Sequence, residues 1–154
     1  MTGRGADEAT PPTRILLVDD NRHGLQARKL ILEELGYRTA TAGDPVEGLA
    51  MLEGQQFDIV VTDYRMPHMT GVEFVQKLRE GRPDMPAILV SGFVDILGLT
   101  EENTGCNVVI QKSPNEVTQL VRAVARLVKQ AKPVRKPSGA AAGTARKRKA
   151  QDAS

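Results

Sequence analysis

Arg14-Ile15-Leu16-Leu17-Val18-Asp19-Asp20 is an apolar run of strand length that stops abruptly on two carboxylates. Phe57-Asp58-Ile59-Val60-Val61-Thr62 is a second such run, closed by Asp63. Ala87-Ile88-Leu89-Val90 ends at Ser91-Gly92, and Asn107-Val108-Val109-Ile110 is followed by Lys112. The runs lack strong polar alternation, as expected of strands buried on both faces of a parallel sheet. The carboxyl ends of parallel strands gather at one edge, where open α/β sheets bind ligands. Three carboxylates, a hydroxyl and an ammonium would converge there, although up to 93 residues separate them. Paired carboxylates attract a hard cation such as Mg2+, and a neighbouring ammonium suits an incoming phosphoryl oxygen. The set reads as a phosphate-accepting aspartate.

The segments between these runs have helical character. From Asn21 to Leu35, residues Leu25, Leu30, Leu32 and Leu35, with Ala27 and Ile31, recur near helical spacing, and Gly36 ends the pattern. Tyr37 to Ala42 reads as a further strand. Asp44-Pro45-Val46-Glu47 has the acid, proline and glutamate of a helix start, and Leu49, Ala50 and Leu52 are expected to face inward before Gly54. Tyr64 to Met69 contains Pro67 and reads as loop. Thr70 is expected to cap a helix to about Glu80, with Val72, Phe74, Val75 and Leu78 apolar, broken by Gly81-Arg82-Pro83. Residues 93–104 predict one short, poorly capped helix. Asn115 opens a last helix with an amphipathic stripe of Val117, Leu120, Val121, Val124, Leu127 and Val128. Five strands alternating with five helices predict an α/β doubly wound parallel sheet.

The chain's 154 residues allow one domain with a proper core and a tail. With aromatics at 3% and no Trp, that core must be aliphatic. The apolar runs fall far short of the roughly 20 residues of a membrane helix. The first twelve residues carry Asp7 and Glu8 and do not read as a secretory signal. A single cysteine, Cys106, cannot form an internal disulfide, and the expected compartment is cytoplasmic. Residues 129–154 hold eight Lys/Arg and one Asp, leaving 13 basic against 18 acidic groups in the rest. From Pro133 onward large hydrophobes vanish, so the expected organisation is a disordered segment 1–12, a folded domain 13–130 and a basic, disordered tail 131–154.

The runs Ile15-Leu16-Leu17-Val18-Asp19-Asp20-Asn21 and Asp63-Tyr64-Arg65-Met66-Pro67-His68-Met69-Thr70-Gly71, with Ser91-Gly92 and Lys112, closely resemble the receiver domain of bacterial two-component response regulators. The resemblance covers about residues 13–130. It implies the flavodoxin-like (β/α)5 fold with strand order 2-1-3-4-5, an order that general accounts of doubly wound sheets already illustrate with a chemotaxis receiver. It also implies that Asp63 takes a phosphoryl group from a histidine kinase phosphohistidine. Asp20, Asp63 and the backbone carbonyl of Arg65 would ligate Mg2+, with Asp19 helping through a water; Ser91 and Lys112 would hold phosphoryl oxygens. The implied partners are a histidine kinase or phosphotransfer protein and an output protein, met as a monomer or weak dimer. No effector domain is read after residue 130, so output is expected through protein contact or phosphorelay.

Two departures matter. Many receivers place Tyr or Phe three residues before the lysine; here that position is Val109, and Lys112-Ser113-Pro114 replaces the common Lys-Pro. Arg65 and Phe93 stand where side chains could crowd attacking water. Lys129, Lys132, Arg135, Lys136 and Arg146-Lys147-Arg148-Lys149 give a second reading, a nucleic-acid-associated regulator acting through its tail. Without aromatic interleaving or a recognition helix, a solubilising tail, or one that contacts acidic protein or lipid, is the favoured reading. A haloacid-dehalogenase-type hydrolase needs Asp-x-Asp after its first strand, and here the pair is adjacent. Asn21-Arg22-His23-Gly24 does not match the Asp-x-His-x-x-Gly of cobalamin binding. His23 and His68 are expected at the surface.

Overall fold

The computed structural model describes residues 12–131, so the two terminal segments read from the sequence lie outside the described residues apart from Pro12 and Ala131. In chain order the elements are β1 (Arg14–Val18), α1 (Arg22–Glu34), β2 (Arg38–Ala42), α2 (Pro45–Gly54), β3 (Ile59–Asp63) and α3 (Gly71–Gly81). There follow β4 (Ala87–Ser91), α4 (Val94–Leu97), α5 (Glu101–Thr104), β5 (Val108–Gln111) and α6 (Glu116–Ala131). The strands form one parallel sheet in the order β2-β1-β3-β4-β5. The compact unit that carries the sheet ends at Ala123, inside α6.

Strand periodicity explains why the central runs are apolar throughout. Leu16, Val18, Val60, Ala87 and Leu89 join Leu52, Phe74, Val75 and Leu78 in one cluster. The residues of opposite parity, Ile15, Leu17, Ile59, Val61, Ile88 and Val90, are equally buried. Both sheet faces are therefore covered, and each buried Val, Leu, Ile or Phe contributes about 1.5–3 kcal/mol of burial. Helix starts are fixed locally. The Asn21 side chain accepts from Gly24 N–H, and Asp44 accepts from Glu47 N–H with Pro45 in the first turn. Thr70 and Glu73 exchange hydrogen bonds in a capping box. No helix among the described residues is long and apolar enough to cross a membrane.

Several sequence expectations need correction. Residues 93–104 form two four-residue helices rather than one, giving six helices among the described residues. Gly98 ends the first at φ 64°, and Thr100 starts the second in a reciprocal pair with Asn103. Phe57 and Asp58 precede β3; Asp58 instead brackets Arg14, accepting its N–H through the carboxylate and donating its own N–H to the Arg14 carbonyl. Tyr37 precedes β2 rather than opening it, its N–H donating back to the Leu32 carbonyl of α1 across the left-handed Gly36. On α1 the buried residues are Leu25, Arg28 and Leu32, while Leu30 and Leu35 are 64% and 54% exposed. Ala50 on α2 is also exposed, and Gly48 takes the inward place against the Phe74 ring.

Candidate functional site

Strand register brings the candidate residues to one edge. Val18 at the end of β1 pairs with Ala42 and Thr62, Asp63 pairs with Val90, and Ser91 pairs with Gln111. Asp19 and Asp20 leave β1 beside Asp63, the last residue of β3, while Ser91 ends β4 and Lys112 follows β5. Oxygens of Asp19, Asp20 and Asp63 lie within 4.8 Å of one another. Asp19 and Asp63 are buried, and Asp20 is exposed.

The three carboxylates are held differently. Asp63 Oδ2 accepts from Lys112 Nζ at 3.1 Å, and its Oδ1 accepts from Tyr64 N–H at 2.8 Å. Asp19 Oδ1 accepts from Asn21 N–H at 2.9 Å, and its Oδ2 from Arg28 Nη1 at 2.8 Å. For Asp20 no hydrogen bond is present among the described residues. Burial first, then the charge of Asp19, pushes the Asp63 carboxyl above the usual range, against the pull of Lys112 and the Tyr64 N–H.

Ser91 is fully buried, and its hydroxyl accepts from Phe93 N–H at 2.9 Å, with no side-chain hydrogen bond to Asp63 or Lys112 among the described residues. Its carbonyl accepts from Lys112 N–H, which anchors the lysine backbone beside the pocket. What stands out at Arg65 is its side chain, stacked over the Phe93 ring at 4.3 Å and joining the loops that follow β3 and β4. Val109 is partly buried against the core, opposite Leu89. His23 and His68 are exposed as expected, His68 at φ 76° where the Met69 N–H turns back to the Pro67 carbonyl.

Sequence reasoning missed Arg28 and Glu116. Arg28 is 4% exposed and bridges Asp19 to Glu116, donating to Glu116 Oε2 from Nη2 at 2.9 Å and from Nε at 3.1 Å. The signal was available: Arg28 stands three residues after Leu25 and four before Leu32, on the inward stripe of α1.

The donor set suits a hard divalent ion. Octahedral donors about 2.0–2.1 Å from Mg2+ lie roughly 3–4 Å apart, so a spread of 4.8 Å needs only a small inward movement. Asp20 has both oxygens available, and all donors are oxygen, as Mg2+ or Mn2+ prefers. The same charge excess would repel an anionic phosphoryl donor unless a cation offset it.

A family model described as the response regulator receiver domain matches residues 15–125. The chain is 36% identical over 81 residues to the hydrogenase transcriptional regulatory protein HoxA of Cupriavidus necator, covering 53% of this chain and 17% of HoxA. Across the first curated relatives the chain spans between 17% and 48% of their length. Among solved structures it resembles a CheY-like receiver domain protein of Methanospirillum hungatei JF-1 with TM-score 0.71 and 33% identity, covering 80% of this chain and 99% of that one. It also resembles TrrA of Thermotoga maritima, with TM-score 0.67 and 28% identity over 75% of this chain and 98% of TrrA. TrrA has been solved with Mg(2+)-BeF and in complex with the histidine kinase ThkA. A match over most of the described chain, together with an acidic cluster at the expected strand ends, places this chain in the response regulator receiver domain family of phospho-acceptor signalling modules.

Proposed function

We propose that Asp63 accepts a phosphoryl group from the phosphohistidine of a histidine kinase or phosphotransfer protein, with Mg2+ held by Asp20, Asp63 and the Arg65 carbonyl and steadied by Asp19. The 3.1 Å contact of Lys112 Nζ with Asp63 Oδ2 inside the three-carboxylate pocket carries this reading. Mg2+ would supply charge neutralisation for the incoming anion. Lys112 and the Tyr64 N–H orient the Asp63 carboxylate before reaction. As the P–N bond to imidazole breaks and the P–O bond to Asp63 forms, Lys112 is placed to turn from the carboxylate to a phosphoryl oxygen. The Ser91 hydroxyl, now an acceptor from Phe93 N–H, has its own proton free to donate to a second phosphoryl oxygen.

The experiment is incubation with acetyl phosphate and Mg2+, followed by intact mass. Wild type gains one phosphoryl group and Asp63→Asn gains none; equal labelling of both would remove Asp63 as the acceptor. The TrrA–ThkA complex supports a kinase as partner for this chain. We further infer a receiver spanning 13–130, a cytoplasmic location, a monomer or weak dimer, and output to a partner protein by contact or phosphorelay. The basic tail that motivates the nucleic-acid reading lies outside the described residues.

A further inference from the structure

A guanidinium is an unexpected occupant of the inward face of α1. Arg28 takes the place where a leucine would continue the stripe of Leu25 and Leu32, and it is 4% exposed. Burying an unpaired charge there would be severely destabilising, and the structure answers with two anions. One edge of the guanidinium serves Asp19, through Nη1 to Oδ2 at 2.8 Å; the other serves Glu116, through Nη2 and Nε to Oε2. Arginine cannot shed its proton in this setting, so the cation is permanent. Glu116, the first residue of α6, is 19% exposed and can reach solvent, whereas Asp19 is fully buried.

We propose that Arg28 is a resident competitor for the pocket's metal ion, and that Glu116 sets the strength of the competition by drawing Arg28 toward the start of α6. The inference rests on the metal-binding reading given above. Any divalent ion shared by Asp19, Asp20 and Asp63 meets two fixed cations, Lys112 on Asp63 and Arg28 on Asp19. Lys112 has an incoming phosphoryl oxygen to move to. Arg28 makes no hydrogen bond to Asp63 or Asp20 among the described residues and divides its charge between Asp19 and Glu116. With both Asp19 oxygens engaged, by Arg28 and by Asn21 N–H, Asp19 is a positioned outer carboxylate and a weakened donor. Metal occupancy and the Arg28–Glu116 contact therefore strengthen each other: an ion that pulls on Asp19 pushes Arg28 onto Glu116. By the reciprocity of coupled equilibria, anything that strengthens the Glu116 contact favours the ion.

The test is a MnCl2 titration of the full chain, with free Mn2+ read by its EPR signal. Arg28→Met replaces the guanidinium with an unbranched apolar chain that fills the same channel. Removing one nearby unit charge is expected to tighten Mn2+ binding by about tenfold. Glu116→Gln leaves Arg28 with Asp19 as its one charged partner, and is expected to weaken binding by about threefold. The double variant should match Arg28→Met, because Glu116 acts through Arg28. A purely structural bridge would make both single variants less stable and move metal affinity the same way. Equal or weaker binding by a folded Arg28→Met overturns the proposal. Should that variant fail to fold by circular dichroism, unchanged or tighter binding by Glu116→Gln overturns it. Absence of Mn2+ binding by the wild type would instead remove the metal reading beneath it.

Discussion

Gly71 and Asp63 are in backbone contact: a β-carbon at Gly71 would lie 2.1 Å from the Asp63 carbonyl oxygen and 2.9 Å from a Leu89 methyl. The Gly71 N–H also donates to the Tyr64 carbonyl at 2.7 Å, closing the loop that leaves β3. The glycine of Asp-x-x-Met-Pro-x-Met-x-Gly is thus a spacing requirement, since α3 starts against Asp63, the proposed acceptor. Gly71→Ala must push backbone against backbone. We expect a loss of about 2–4 kcal/mol in urea unfolding and slowed labelling of Asp63. A variant as stable as wild type would show that the loop yields without disturbing the site.

The raised position of the Asp63 carboxyl gives a pH dependence of definite sign. Its burial and the Asp19 charge favour the protonated form in the native state, against the opposing Lys112 and Tyr64 contacts. The native state therefore holds this proton more tightly than the unfolded chain does. Its contribution is complete below the ordinary carboxylate range and is lost as pH rises through the elevated native value. In metal-free buffer at neutral pH, Asp63→Asn should melt above wild type, and the gap should shrink as pH falls into the carboxylate range. A gap that widens on acidification would contradict the assignment. Added Mg2+ should stabilise the wild type more than the variant.

Lys112→Met separates two roles of the ammonium. Without metal or phosphate it removes the partner at 3.1 Å and leaves Asp63 with the Tyr64 N–H. Labelling by acetyl phosphate should fall by about 10²-fold, the scale for losing one preorganised charge donor, while the fold survives because Lys112 is partly exposed. Quantifying the phosphorylated fraction over time by intact mass checks this. Wild-type labelling would assign the lysine to a later event.

Much of this arrangement was legible because strand ends announce themselves. An apolar run that stops on Asp19-Asp20 or Asp63 must leave the sheet where a charge can be accommodated, and parallel pairing then dictates the shared edge. Arg28 was not legible as a site residue, because an arginine among leucines is ordinarily assigned to a solvated flank. Its meaning depends on Glu116, 88 residues away at the start of α6, and the meeting of those two side chains is a tertiary fact. Leu30 and Leu35 misled in the opposite sense: helical spacing identifies an apolar face but cannot say which leucines lie at its margin. The two short helices after β4 were blurred for a local reason. Four-residue helices carry too little periodicity to read, and the Thr100–Asn103 pair that fixes the second uses an asparagine where a capping box usually has Glu or Gln.

Arg65 and Phe93 form a contact between the loops that leave β3 and β4, and it is open to direct test. Arg65 follows Asp63 by two residues and Phe93 follows Ser91 by two, so their stacking at 4.3 Å ties together the loops that leave β3 and β4, just after the proposed acceptor and the hydroxyl. The Phe93 N–H is itself bound to the Ser91 hydroxyl, which links the ring's position to the site. We predict that this stacked pair narrows the approach of water to Asp63 once that residue is phosphorylated. Arg65→Ala removes a contact worth about 1 kcal/mol, or roughly fivefold in the population of the closed arrangement. The phosphorylated form should then hydrolyse severalfold faster, measured as decay of the phosphoryl mass after the donor is removed. Phe93→Leu should act in the same direction and add little to Arg65→Ala, since either change alone breaks the stack. Unchanged lifetimes in both variants would show that the pair packs the surface without governing water.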